Sequence, residues 1–134
     1  MDLIFGGAYQ GKLEYAKRRF HLTDADVYLC GQGSEQPAEQ LREFLDSGCS
    51  IFYGLERFTL ACVRCGAEAA ALLQEHARLL RGKILIAEDI SCGVVPTDRE
   101  QRAWREMNGR AMVYLGQEAE TVARVFCGLE LRLK

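Results

Sequence analysis

Asp2-Leu3-Ile4-Phe5 runs directly into Gly6-Gly7-Ala8-Tyr9-Gln10-Gly11-Lys12-Leu13, and the reading of this stretch decides the fold. A short apolar run closed by a glycine pair predicts a buried strand entering a turn. Lys12–Phe20 then reads as a helix with a basic outer face. Gly6, Gly11 and Lys12 satisfy the spacing G-x-x-x-x-G-K. Glycines there let backbone N–H groups turn inward around a phosphate, and the helix N-terminus adds positive potential. Gly6, Gly7, Ala8, Tyr9, Gln10, Gly11, Lys12 and Leu13 are therefore the candidate phosphate-binding residues, with Lys12 a point charge on the terminal oxygens. The competing reading is a glycine-rich turn with Lys12 on a solvated first turn; the strand–loop–helix context favours the phosphate loop. One position departs from the motif. A Ser or Thr should follow the lysine, because that hydroxyl ligates Mg²⁺, and Leu13 offers no oxygen.

Working outward, strand and helix alternate. Asp26–Cys30 predicts a second strand, Ser34–Leu45 a helix stopped by Gly48, and Cys49–Tyr53 a third strand. Leu55–Leu80 reads as one long helix ended by Gly82, followed by Lys83–Ala87, the clearest buried strand. Asp98–Glu120 is polar and helical, expected as two helices broken near Gly109. Val122–Phe126 and Leu129–Leu133 flank Cys127-Gly128 as a terminal hairpin. Strands alternating with crossover helices indicate an α/β fold, a mostly parallel sheet with an antiparallel C-terminal hairpin at one edge. The strands at Asp2–Phe5, Asp26–Cys30 and Lys83–Ala87 are expected parallel and adjacent in one layer.

The 134 residues fit one domain, and 49% apolar with 27% charged residues is ordinary for a globular chain. A net charge of −2 gives no electrostatic reason to expect nucleic acid or a membrane surface as partner. No run approaches the roughly 20 apolar residues of a membrane span. Without a basic, then apolar, leader at Met1, the expected location is the cytoplasm. The six cysteines are then expected as buried thiols rather than bridges. Cys62-x-x-Cys65 has metal-like spacing but no second pair, and on a helix these positions simply share a face, so no metal site is assigned.

Two C-terminal stretches carry a resemblance. Lys83-Ile84-Leu85-Ile86-Ala87-Glu88-Asp89-Ile90-Ser91-Cys92-Gly93-Val94-Val95-Pro96 resembles an apolar strand followed by N-E-V-G-x-G-I-V-P. Arg102-Ala103-Trp104-Arg105-Glu106-Met107-Asn108-Gly109-Arg110 resembles R-x-F-R-D-x-x-G-R. Glu118-Ala119-Glu120-Thr121-Val122 and the closing Val125–Lys134 follow in order, and the loop at Gly6–Lys12 resembles G-G-A-R-S-G-K-S. These motifs belong to the adenosylcobinamide kinase/adenosylcobinamide-phosphate guanylyltransferase family of cobalamin biosynthesis, and together they cover about half the chain. The resemblance implies a P-loop NTPase-like three-layer αβα fold, with residues 1–134 one kinase-like domain. It implies ATP or GTP as nucleotide, adenosylcobinamide as acceptor, phosphoryl transfer to its aminopropanol hydroxyl, guanylyl transfer through a histidine, and a homotrimer.

Carried over residue by residue, the resemblance implies that Lys12 and Asp89 are catalytic. The guanylylated histidine belongs on the helix after the second strand, where this chain has Phe44 and Leu45, and the R-P-x-x-W segment after it is absent. Guanylyl transfer is therefore expected to be lost. Tyr53 stands where the third strand should end in an acid. Glu56 reads first as a helix N-terminal residue favoured by the dipole, and otherwise as a displaced metal ligand. Arg105 and Arg110 read equally as phosphate contacts or as partners of Glu106 or Glu120, and Trp104 as a helix residue packing on the sheet. The kinase site is expected to be impaired, with magnesium doubtful. Two alternatives stay open: a non-catalytic nucleotide- or corrinoid-binding module, and a repositioned acidic site in which Glu56 and Glu88 join Asp89.

Overall fold

The computed structural model describes Met1–Lys134. Its elements run β1 (Asp2–Gly6), α1 (Lys12–Phe20), a 3₁₀ turn at Asp24–Asp26, β2 (Val27–Leu29), α2 (Pro37–Asp46), β3 (Ile51–Tyr53) and α3 (Leu55–Cys65). They continue with α4 (Ala69–Glu75), β4 (Ile84–Glu88), α5 (Arg99–Glu118), β5 (Thr121–Phe126) and β6 (Leu129–Arg132). One six-stranded sheet has the order β2-β3-β4-β1-β5-β6. Every neighbouring pair is parallel except β5–β6. The α/β class, the parallel sheet and the antiparallel hairpin at one edge stand as the sequence predicts.

Strand alternation builds two cores, because successive side chains leave opposite faces. Leu3, Phe52, Leu85, Ala87 and Val122 point to one face and are covered by Leu41 and Phe44 of α2, Leu55 and Phe58 of α3, Leu73 of α4, and Ala111 and Leu115 of α5. Ile4, Ile51, Ile84, Ile86, Ala123 and Val125 point to the other, where Tyr15 and Ala16 of α1 cover them. The three layers are thus unequal. Four helices share one face and α1 takes the other.

Three expectations on the elements need correction. The long helix breaks at Gly66, which adopts φ 68 and caps α3 while Ala67 N–H donates to the Cys62 carbonyl; α4 is a separate helix. Gly109, by contrast, lies inside one continuous α5, whose twenty residues absorb it. The strand near Asp26 is not adjacent to the central pair: β3 lies between β2 and β4, which puts β2 at the edge. Of the six cysteines, Cys30 and Cys62 are buried, whereas Cys65, Cys92 and Cys127 are exposed, so burial describes only some of them. No helix is long and apolar enough to cross a membrane.

Candidate functional site

β1 lies at the centre of the sheet between β4 and β5, and the loop from Gly6 to Lys12 leaves its C-terminal end. In an open α/β sheet this carboxyl edge is where ligands bind. Backbone packing shapes the loop. A Cβ on Gly6 would meet the Val125 carbonyl oxygen far inside the 3.0 Å that real Cβ atoms keep, so β5 passes too close for any side chain. Gly11 adopts φ 83 and faces Gly128 of the β5–β6 turn. That turn grips the loop through Gln10, whose carbonyl accepts from Gly128 N–H at 2.9 Å and whose Oε1 accepts from Cys127 N–H at 2.7 Å. The loop is clamped by the C-terminal hairpin, a contact that no reading of the loop alone can anticipate.

Lys12 opens α1 and is 5% exposed. Its ammonium donates to the Gly7 carbonyl at 2.6 Å. Burial pushes its pKa below the ordinary lysine value, while the Glu88 and Glu56 carboxylates pull in the other direction. The cavity over the loop, about 270 Å³, is lined by Ala8 to Glu14 together with Tyr53, Arg57 and Glu88. Burial, reinforced by Glu56 and Glu88, raises the Tyr53 phenol above its usual pKa.

The two acids beside Lys12 come from adjacent strand and helix ends. Glu88 ends β4 on the same face as Ile84 and Ile86, the α1 face, and pairs in register with Gly6. Glu56, in the first turn of α3, accepts the Glu88 N–H on Oε2 at 2.8 Å, as well as sitting at a helix N-terminus. Asp89, one residue on, falls to the opposite side. Its Oδ1 accepts from Ser91 N–H at 3.1 Å and from the Ser91 hydroxyl, contacts that hold its carboxyl below the usual pKa. Asp89, Ser91 and Arg105 line a separate groove of about 350 Å³ against α5, and the Asp89 backbone N–H donates to the Gly6 carbonyl at 2.8 Å. Of the residues singled out from sequence, Lys12 and Glu88 thus share the loop cavity, with Glu56 behind them, while Asp89 and Arg105 lie together elsewhere.

Arg110 joins neither group: it forms a two-pronged pair with Glu68, at 3.2 and 3.0 Å, rather than with Glu106 or Glu120. Arg105 donates to the Cys92 carbonyl at 3.0 Å. Trp104 packs on α3 rather than on the sheet, its Nε1 donating to the Glu56 carbonyl at 2.7 Å. The Leu13 side chain packs into the α1-face core, so the position that would carry a metal-binding hydroxyl is apolar and turned inward. One Glu56 oxygen is engaged by the Glu88 N–H, and Leu13 places no oxygen where a phosphate loop carries its magnesium-binding hydroxyl.

α2 reads Pro37–Asp46 without a histidine, and Phe44 is fully buried under the sheet. His21 ends α1, nine residues or roughly 13 Å of helix from the loop. His76 follows α4, in the connection that leads to the start of β4 at the opposite edge of the sheet.

A comparison with curated proteins gave no match. The family model for cobinamide kinase / cobinamide phosphate guanyltransferase matches residues 51–133, from the start of β3 to the end of the C-terminal hairpin. That match spans well over half of the chain and runs through a mostly parallel sheet of the expected P-loop kind; the chain belongs to the cobinamide kinase / cobinamide phosphate guanyltransferase family.

Proposed function

We propose that this protein is a nucleotide-binding member of its family in which the guanylyl-transfer site is lost and the kinase site is impaired. The observation that carries the reading is the clamped loop from Gly6 to Lys12, whose lysine is buried against it beside Glu88. β5 and the Cys127–Gly128 turn hold the loop at Gly6 and Gln10, positions outside Tyr9 and Leu13. ATP or GTP would lay its phosphates against the loop N–H groups and Lys12, with adenosylcobinamide as the acceptor alcohol. In that transfer the hydroxyl oxygen bonds to the terminal phosphorus, the bond to the nucleoside diphosphate breaks, and the hydroxyl proton passes to a carboxylate. Of the two carboxylates on the cavity wall, Glu14 is paired with Lys17 and Glu88 acts on Lys12, which favours the repositioned acidic site over a role for Asp89 at the reacting atoms.

Guanylyl transfer requires a nucleophile that forms a phosphoramidate, and α2 presents Phe44 and Leu45 instead of an imidazole. In this reading residues 1–134 act as one kinase-like domain in the cytoplasm, and homotrimer formation follows from kinship. The test is calorimetric titration with ATP, GTP and adenosylcobinamide, repeated on Lys12→Ala. Nucleotide binding that Lys12→Ala abolishes supports the reading. Binding of adenosylcobinamide alone, with no nucleotide bound, supports a corrinoid-binding module instead.

A further inference from the structure

Around the loop cavity the fixed charges do not favour a polyanion if Lys12 acts alone. Glu88 lines the same cavity and Glu56 stands just behind it, while Glu14, also on the wall, is neutralised by Lys17 at 2.6 Å; Leu13 supplies no ligand for a neutralising metal ion. A second cation is needed, and the chain has one in place. Arg57, on the first turn of α3, lines the cavity opposite the loop. Its guanidinium makes no hydrogen bond and no ion pair within 4.0 Å, whereas Arg105 donates to the Cys92 carbonyl, and Arg124, on β5 in register with Phe5, acts on Asp89 rather than lining this cavity. Its stem is seated on two glycines: Cβ atoms built on Gly31 and Gly54 would lie 3.6 and 3.5 Å from Arg57 Cδ. Gly31 and Gly54 follow β2 and β3, so this seat sits at the carboxyl edge of the sheet, the edge that carries the phosphate loop. Nothing in the family motifs quoted above calls for an arginine at this position.

We propose that Arg57 is the second phosphate-binding cation of this site, closing on the ligand from the α3 side and replacing the magnesium ion that Leu13 cannot hold. A guanidinium suits the task because its planar fork meets two phosphate oxygens at once and stays charged at any working pH. The ligand class is an inorganic or nucleoside polyphosphate bound without metal. The inference rests on the proposed nucleotide-binding reading of the loop.

Its test uses the full-length protein and inorganic triphosphate in EDTA, followed by calorimetry, with Arg57→Gln, Arg57→Lys and Lys12→Ala beside the wild type. Binding in EDTA that weakens about ten-fold in Arg57→Gln and recovers in part in Arg57→Lys is the expected result. Arg57 is exposed, so circular dichroism melts of the variants should match the wild type and separate loss of the contact from loss of the fold. A loss under about threefold in Arg57→Gln, with binding still abolished by Lys12→Ala, overturns the role of Arg57 and leaves the loop reading intact. Wild-type binding that appears only with added magnesium overturns it as well. No triphosphate binding under either condition defeats the loop reading, and the role of Arg57 with it.

Discussion

Substituting Gly6 and Gly7 separately with alanine distinguishes what each glycine does. A Cβ on Gly6 would point at the Val125 carbonyl of β5, well inside the 3.0 Å that real Cβ atoms respect, and the obstacle is backbone. Relief requires β1 and β5 to part by roughly 1 Å at that end, in an interior packed as densely as an organic crystal. Overpacking of this kind costs about 1–3 kcal/mol. Losing one or two ladder hydrogen bonds beside Phe5 and Arg124 adds about 1 kcal/mol each. At about 3 kcal/mol in total, a domain of this size should melt roughly 10 °C lower. A Cβ on Gly7 meets only the Gln10 Cγ at 3.5 Å, an ordinary contact, so Gly7→Ala should melt within about 2 °C of wild type. Paired thermal melts by circular dichroism decide the matter. A Gly6→Ala protein as stable as Gly7→Ala would refute the close approach of β5, and with it the account of how the loop is clamped.

Two further variants probe the surroundings of the loop. Burial lowers the Lys12 pKa below 10.5, so the unfolded chain holds that proton more tightly and the wild type gains stability as pH rises from the depressed folded value toward 10.5. Lys12→Met should accordingly melt above wild type at pH 7 with a gap that narrows on going to pH 10; a gap that widens would contradict the burial cost. Trp104→Phe deletes the donor to the Glu56 carbonyl, which keeps the Thr59 hydroxyl at 2.9 Å, so the loss should be about 1 kcal/mol, or roughly 4 °C by thermal melting. A fall of 10 °C or more would mean that Trp104 supports α3 in some further way.

Much of the fold was legible because the decisive signals are local. The Asp2–Phe5 run, the glycine pair, the buried Lys83–Ala87 run and the Cys127-Gly128 turn each specify their own element. The two misjudged glycines show where local signals fail. Gly66 and Gly109 stand in similar helical stretches, but Gly66 adopts the left-handed conformation that ends α3, while Gly109 stays helical within α5. Nothing adjacent in sequence separates them; the difference lies in the turn of Ala67 and Glu68 into α4. At the site, Asp89 and Glu88 were both in view. Counting alternate positions from the buried Ile84 and Ile86 assigns Glu88 to the α1 face and Asp89 to the other, so a signal was available. Arg57 had none, because its importance depends on Gly31 and Gly54, which meet only through the pairing of β2 with β3.

The family match begins at β3, and the loop and α2 precede it, yet the matched segment is what shapes the loop. β4 and β5 both lie in that segment and flank β1 on either side. The Cys127–Gly128 turn lies there too and holds Gln10 by both its carbonyl and its side chain. Backbone N–H groups aimed by such packing persist through side-chain replacement, because they belong to every residue except proline. A hydroxyl after the lysine or an imidazole on α2 belongs to one residue type and disappears with it. On the proposed reading, the chain keeps the backbone of a phosphate site while Leu13 and Phe44 stand where a metal-binding hydroxyl and an imidazole would act. On this view the loop's capacity to hold an anion should survive changes at Tyr9 or Leu13 that leave Gly6, Gln10 and Lys12 in place.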